Sequence, residues 1–133
     1  MNNKILIIDD DLDVVEAMKI ALESVGYTVD SAPDAEEGLD KLLSFAPDLL
    51  ILDVMMNTDT EGFNAAWEIR SPDPNSRFSQ FKDMPILMIS AVSSEKKMSF
   101  DPKRDQDYLP VNDFVEKPIS PKTLIQKVQG LIG

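Results

Sequence analysis

No cysteine and no histidine occur among the 133 residues. The first absence excludes disulfides and thiolate metal sites and fits a reducing, cytoplasmic compartment. The second removes imidazole as base, nucleophile and metal ligand, and with it any Ser-His-Asp or Cys-His triad. Positive charge is scarce as well: 13 Lys and Arg stand against 24 Asp and Glu, a formal net charge of −11. A field of that sign repels phosphate backbones, so direct nucleic-acid binding is not expected. The apolar runs Ile5–Ile8, Leu49–Leu52 and Pro85–Ile89 are far too short to cross a bilayer, so no membrane insertion is expected. Met1-Asn2-Asn3-Lys4 leads into four apolar residues and then three acids, which does not read as a signal peptide.

What is present alternates. Lys4–Ile8 is a continuous apolar, β-branched run, as expected of a strand buried on both faces of a parallel sheet, and Asp9, Asp10 and Asp11 stop it. Val15, Met18, Leu22 and Val25 then recur at helical spacing, with Gly26 as a C-terminal stop. Residues Tyr27–Ala32 read as a more polar strand near a sheet edge. Asp34 opens a second helix with Ala35, Leu39, Leu42 and Ala46 on one face, and Pro47 ends it. Leu49–Leu52 is a second buried run closed by Asp53. Gly62–Arg70 is a shorter helix carrying Phe63, Ala66 and Trp67, the last read as core. Residues 71–84 hold Pro72, Pro74, Asn75 and several serines and read as a loop, whose Phe78 and Phe81 are expected to fold back over the third helix. Pro85–Ile89 is the third buried run, ending at Ser90.

Residues 93–110 are mostly polar and show no clean period. Asp113–Glu116 is a short fifth strand that ends at Lys117-Pro118. Ser120 and Pro121 open a last helix with Leu124, Ile125, Val128, Leu131 and Ile132 as its apolar stripe. The alternation implies one α/β domain over residues 1–133, a doubly wound five-stranded parallel sheet with helices on both faces and a fourth helix that is short or irregular. In such a sheet, function gathers beyond the carboxyl ends of the strands.

The chemical groups fall at those ends: Asp9 and Asp10, Asp53, Ser90 and Lys117. An acid after a strand often does no more than cap the next helix, which accounts for Asp11. Five groups at four strand ends are harder to attribute to capping. Three carboxylates repel one another unless a cation sits among them, and hard oxygen donors without His or Cys favour Mg2+ or a similar ion. A lysine and a serine opposite them suit a dianionic phosphoryl group.

The ordered segments Ile5–Asp11, Leu50–Asp53, Ile89-Ser90-Ala91 and Phe114–Pro118 resemble the receiver domain of bacterial two-component response regulators, over a span from about Lys4 to Ile132. The resemblance implies a flavodoxin-like sheet of order 2-1-3-4-5. It implies that Asp53 accepts the phosphoryl group, and that Asp9, Asp10, Asp53 and the carbonyl of Met55 hold Mg2+. Lys117 and Ser90 would assist at the phosphoryl group, and Ser90 and Phe114 would form the switch pair. Met55 and Val92, two positions beyond Asp53 and Ser90, would flank the approach of a hydrolytic water. Partners would be a sensor histidine kinase or histidine phosphotransfer protein and a downstream protein target. Without histidine, the chain itself would be the acceptor. It would be a switch that catalyses only its own phosphorylation and slow dephosphorylation, of stand-alone type with no output domain.

Four departures stand against the family pattern: Met56 where proline is frequent, a stretch from Asp53 to Gly62 about one residue longer than usual, and expanded stretches at 71–84 and 93–110. Two other readings compete. A Mg2+-dependent phosphatase with an aspartate nucleophile would need Asp-x-Asp-x-Thr, and Asp9-Asp10-Asp11-Leu12-Asp13 lacks the threonine, with Asp13 in its place. A receiver-like binding module independent of phosphorylation would be expected to have lost an acid or the lysine, and both are kept.

Overall fold

In the computed structural model, residues 3–53, 61–91, 113–117 and 119–132 are described, with side chains at all of these except 61–64, 90, 91, 114, 116 and 117. The elements run β1 (Lys4–Ile8), α1 (Leu12–Glu23), β2 (Thr28–Ala32), α2 (Ala35–Phe45), β3 (Leu49–Asp53), α3 (Glu61–Ile69), a short 3-10 turn (Ser79–Phe81), β4 (Ile86–Ala91), β5 (Asp113–Lys117) and α4 (Pro121–Ile132). The five strands are parallel in the order β2-β1-β3-β4-β5. The polar second strand is an edge, as its composition indicates. The stretch 93–110, with the fourth helix of the family pattern, lies outside the described residues.

Alternation along the buried strands divides the core in two. Leu6, Ile8, Leu50, Leu52, Ile86 and Met88 face one side, where Ala35, Leu39 and Leu42 of α2 and Ala65, Ala66 and Ile69 of α3 cover them. Ile5, Ile7, Leu49, Ile51, Leu87 and Ile89 face the other, under Val15, Met18 and Leu22 of α1 and Leu124 and Val128 of α4. Helices on both faces explain why the strands carry no polar side. Local chemistry sets the helix starts. Asp11 accepts from the amides of Asp13 and Val14, both at 3.2 Å, and Asp34 accepts from Glu37 N at 2.8 Å. Ser120 O accepts the first bond of α4 from Leu124 N at 3.0 Å.

Three apolar assignments are corrected. Val25 is exposed, because α1 ends at Glu23 and the chain turns through Gly26 at φ 100°; Ala21 fills the stripe instead. Ala46 is an exposed left-handed C-cap at φ 53°, not part of the α2 face. Trp67 is 49% exposed: α3 seats on Ala65, Ala66 and Ile69, which turns residue 67 away from the sheet.

The 71–84 segment does fold back. Phe78 is fully buried, and Phe81 and Met84 join it beside α3. Arg70 closes the segment by donating from Nη1 to Lys82 O at 2.6 Å. Burial lowers its pKa from the ordinary arginine value, with Asp83 opposing the shift. This loop enters β4 at the N-terminal end of the sheet, the end away from Asp9 and Asp53, so it contributes stability rather than chemistry. Phe78→Ala is therefore expected to cost about 3–5 kcal/mol in urea unfolding while leaving cation binding at the acids unchanged.

Candidate functional site: an acid cluster at the carboxyl end of the sheet

The parallel register builds the site. Ile8 pairs with Leu52, so Asp9 and Asp53 follow side by side at the ends of β1 and β3. Asp53 pairs in turn with Ile89, which places Ser90 one residue further along β4. Ser90 pairs with Glu116 and Ala91 with Lys117, so the backbone carries all four strand ends to one edge of the sheet. Phe114 pairs with Met88, deeper in the same two strands. Met55 and Val92 lie outside the described residues.

Asp9, Asp10 and Asp53 come together, with one carboxylate oxygen from each within 4.8 Å of the others. Asp9 is fully buried and Asp53 is 2% exposed, whereas Asp10 faces solvent. Two contacts fix Asp9: its amide donates to Ala32 O at 3.1 Å, and its Oδ1 accepts from Asp11 N at 2.9 Å. Asp11 is the neighbouring acid that stays out of the cluster, because its carboxylate is engaged in capping α1.

Ionised carboxylates this close repel by on the order of 3–4 kcal/mol per pair at an effective dielectric of about 20. The Asp11 amide donated to Asp9 Oδ1 offsets part of that, and a divalent cation would offset far more. The donor set fits Mg2+: oxygen ligands only, two of them held rigidly by strand ends, and one open, exposed side left for water. Asp9, Asp10 and Asp53 would hold the ion, which when bound would supply positive charge and a template for phosphoryl oxygens.

A three-layer α/β/α domain with buried acids at the carboxyl ends of its central strands is the architecture of the flavodoxin-like class, and sequence comparison identifies the family. The chain belongs to the response regulator receiver domain family, whose model matches residues 5–129. It is 33% identical over 132 residues to the alkaline phosphatase synthesis transcriptional regulatory protein PhoP of Bacillus subtilis, covering 99% of this chain and 49% of that protein. It is 34% identical over 134 residues to response regulator MprA of Mycobacterium bovis, covering 99% and 51%. The chain thus spans about half the length of these curated relatives. Among solved structures, the chemotaxis protein CheY4 of Vibrio cholerae superposes with a TM-score of 0.80 at 27% identity, covering 98% of this chain and 99% of that one. The N-terminal domain of the nisin resistance regulator NsrR gives 0.78 at 26% identity, with full coverage of both. Among the described residues, no helix is long and apolar enough to cross a membrane.

The cluster predicts a measurable linkage. Mg2+ at ten times its dissociation constant is expected to stabilise the fold by about 1.4 kcal/mol. In Asp10→Ala this gain disappears while the metal-free protein is at least as stable as wild type, because one repulsive charge is gone. Thermal unfolding with and without Mg2+ checks both.

Proposed function

We propose that this receiver accepts a phosphoryl group on Asp53 from a phosphohistidine of a sensor kinase or phosphotransfer protein and thereby switches its binding to a downstream protein. The observation that carries the reading is the buried pairing of Asp53 with Asp9, closed by exposed Asp10. An Asp53 carboxylate oxygen attacks phosphorus, the new O–P bond forms as the N–P bond of the donor breaks, and the departing imidazole takes up a proton from solvent. The product is an aspartyl phosphate. Such a transfer depends on positioning and charge neutralisation more than on proton shuttling, which suits a site with no histidine. Asp9, Asp10, Asp53 and, on the family resemblance, the Met55 carbonyl would hold Mg2+, which would supply part of that neutralisation, and Lys117 would supply the rest.

Ser90 turns toward the phosphoryl oxygens and Phe114 follows it inward, so that the phosphorylated protein favours a second conformation by its extra contacts there. The protein works in the cytoplasm as a switch, with no turnover beyond its own phosphorylation and slow dephosphorylation. A protein donor finds apolar surface beside the acids: Leu12, directly after Asp11, is 73% exposed. A groove of about 250 Å³ opens nearby between α1 and α4, lined by Val14, Ala17, Met18, Ile119 and Leu124 among others.

Intact mass after incubation with acetyl phosphate and Mg2+ tests the central step. One added phosphoryl group in wild type and none in Asp53→Asn is expected; equal addition to both would remove Asp53 from the role.

Lifetime of the phosphoprotein gives a second expectation. On the family resemblance, Met55 and Val92 would flank the water's approach, and neither side-chain type can orient it. The double substitution Met55→Asn with Val92→Glu is expected to speed decay roughly tenfold after donor removal, about 1.4 kcal/mol off the barrier. Decay at the wild-type rate would show that water access does not limit the lifetime.

A further inference from the structure

Gly38 sits in the interior of α2, where glycine is less favourable than alanine. Backbone freedom does not account for it: among the described residues, the glycine at positive φ is Gly26. Space does. A Cβ on residue 38 would collide with Ile8 Cδ1 and lie 2.6 Å from Cγ1 and 3.3 Å from Cγ2 of the same side chain.

We infer that Gly38 is a positioning residue for the acid cluster, letting α2 lie directly on the last residue of β1 and so fixing where Asp9 begins. The role rests on reading Asp9, Asp10 and Asp53 as the cation site.

Ile8 has little room to yield. It is fully buried, and its backbone is laddered to Ala32 on one side and Leu52 on the other. The helix cannot easily lift either. Leu39 and Leu42 are buried against the sheet, and Lys41 Nζ donates to Ser31 O at 2.6 Å and to Asp30 Oδ1 at 3.2 Å, tying α2 to the edge strand. The ladder on the β2 side ends at the next residue, where Asp9 N donates to Ala32 O at 3.1 Å. A methyl group wedged against Ile8 would therefore push on the Ile8–Asp9 peptide, the last one on this side that a ladder bond holds. That displaces a buried carboxylate whose geometry the cation site requires.

The test separates positioning from stability by comparing wild type, Gly38→Ala, Ile8→Ala and the double variant. Mn2+ affinity is read by electron paramagnetic resonance, stability by thermal midpoint, and Asp9 amide exchange by NMR in the metal-free protein. Gly38→Ala is expected to bind Mn2+ roughly tenfold more weakly and to exchange the Asp9 amide faster. Ile8→Ala removes the opposing atoms; it is expected to lose stability through a cavity yet bind Mn2+ as wild type does. The double variant is expected to recover affinity without recovering the midpoint. Wild-type affinity in Gly38→Ala, or affinity that merely follows the midpoint across the set, overturns the role. Should Gly38→Ala not fold, Gly38→Ala with Ile8→Val, set against Ile8→Val alone, makes the same comparison, because valine keeps an atom in the path of the new methyl. Failure of wild type itself to bind Mn2+ would overturn the cation reading instead, and Asp9 amide exchange then decides the placement alone.

Discussion

Two buried carboxylates side by side are the constraint around which this fold is arranged. Ile8 opposite Leu52 puts Asp9 next to Asp53, and neither can retreat to solvent without breaking the end of a central strand. Burying charge is unfavourable unless it is compensated. The compensation is local and directional: an amide from Asp11 to Asp9, the exposed position of Asp10, and an oxygen-only opening that suits a hard divalent ion. A site assembled this way is suited to receive positive charge at its exposed side.

The surrounding layers keep that edge in place by different means on the two faces. Small residues do much of it on the α2 and α3 side: Gly38 lets one helix rest on Ile8, and Ala65 and Ala66 seat the other. The third helix is too short and too fine-grained to fill its side alone, so Phe78, Phe81 and Met84 return from the following loop to complete the packing. Stability is thus concentrated toward the N-terminal end of the sheet, and chemistry at its carboxyl end. The separation allows the acid edge to hold unfavourable like charge without endangering the domain.

Capping shows how closely the two tasks are interleaved. Of the three consecutive acids, Asp9 enters the cluster, Asp10 closes it from solvent, and Asp11 terminates α1 by accepting two amides. The same residue type at adjacent positions therefore does different work according to which way the backbone leaves the strand. Gly38 carried no sequence signal of its own, since a lone glycine in a helical pattern reads only as a weak position until the atom it avoids is known.

Much of the architecture was legible because it rests on periodicity. Continuous apolar strands, helical stripes, and acids or a lysine after the strand ends follow from burial on two faces, and they set element order, the edge position of β2 and the set of candidate site residues. Helix limits and facing were less legible. Val25, Ala46 and Trp67 all fit an apolar pattern yet lie exposed, because the turn at Gly26, the left-handed cap at Ala46 and the seat of α3 on its alanines depend on the whole packing. Local sequence thus determined which groups stand at the strand ends, a matter of chain order and hydrophobic period. Only the tertiary structure decided that Asp9 and Asp53 are buried neighbours with Asp10 beside them. That distance is set by inter-strand register and by how closely α2 approaches β1, and neither is encoded by residues adjacent in the chain.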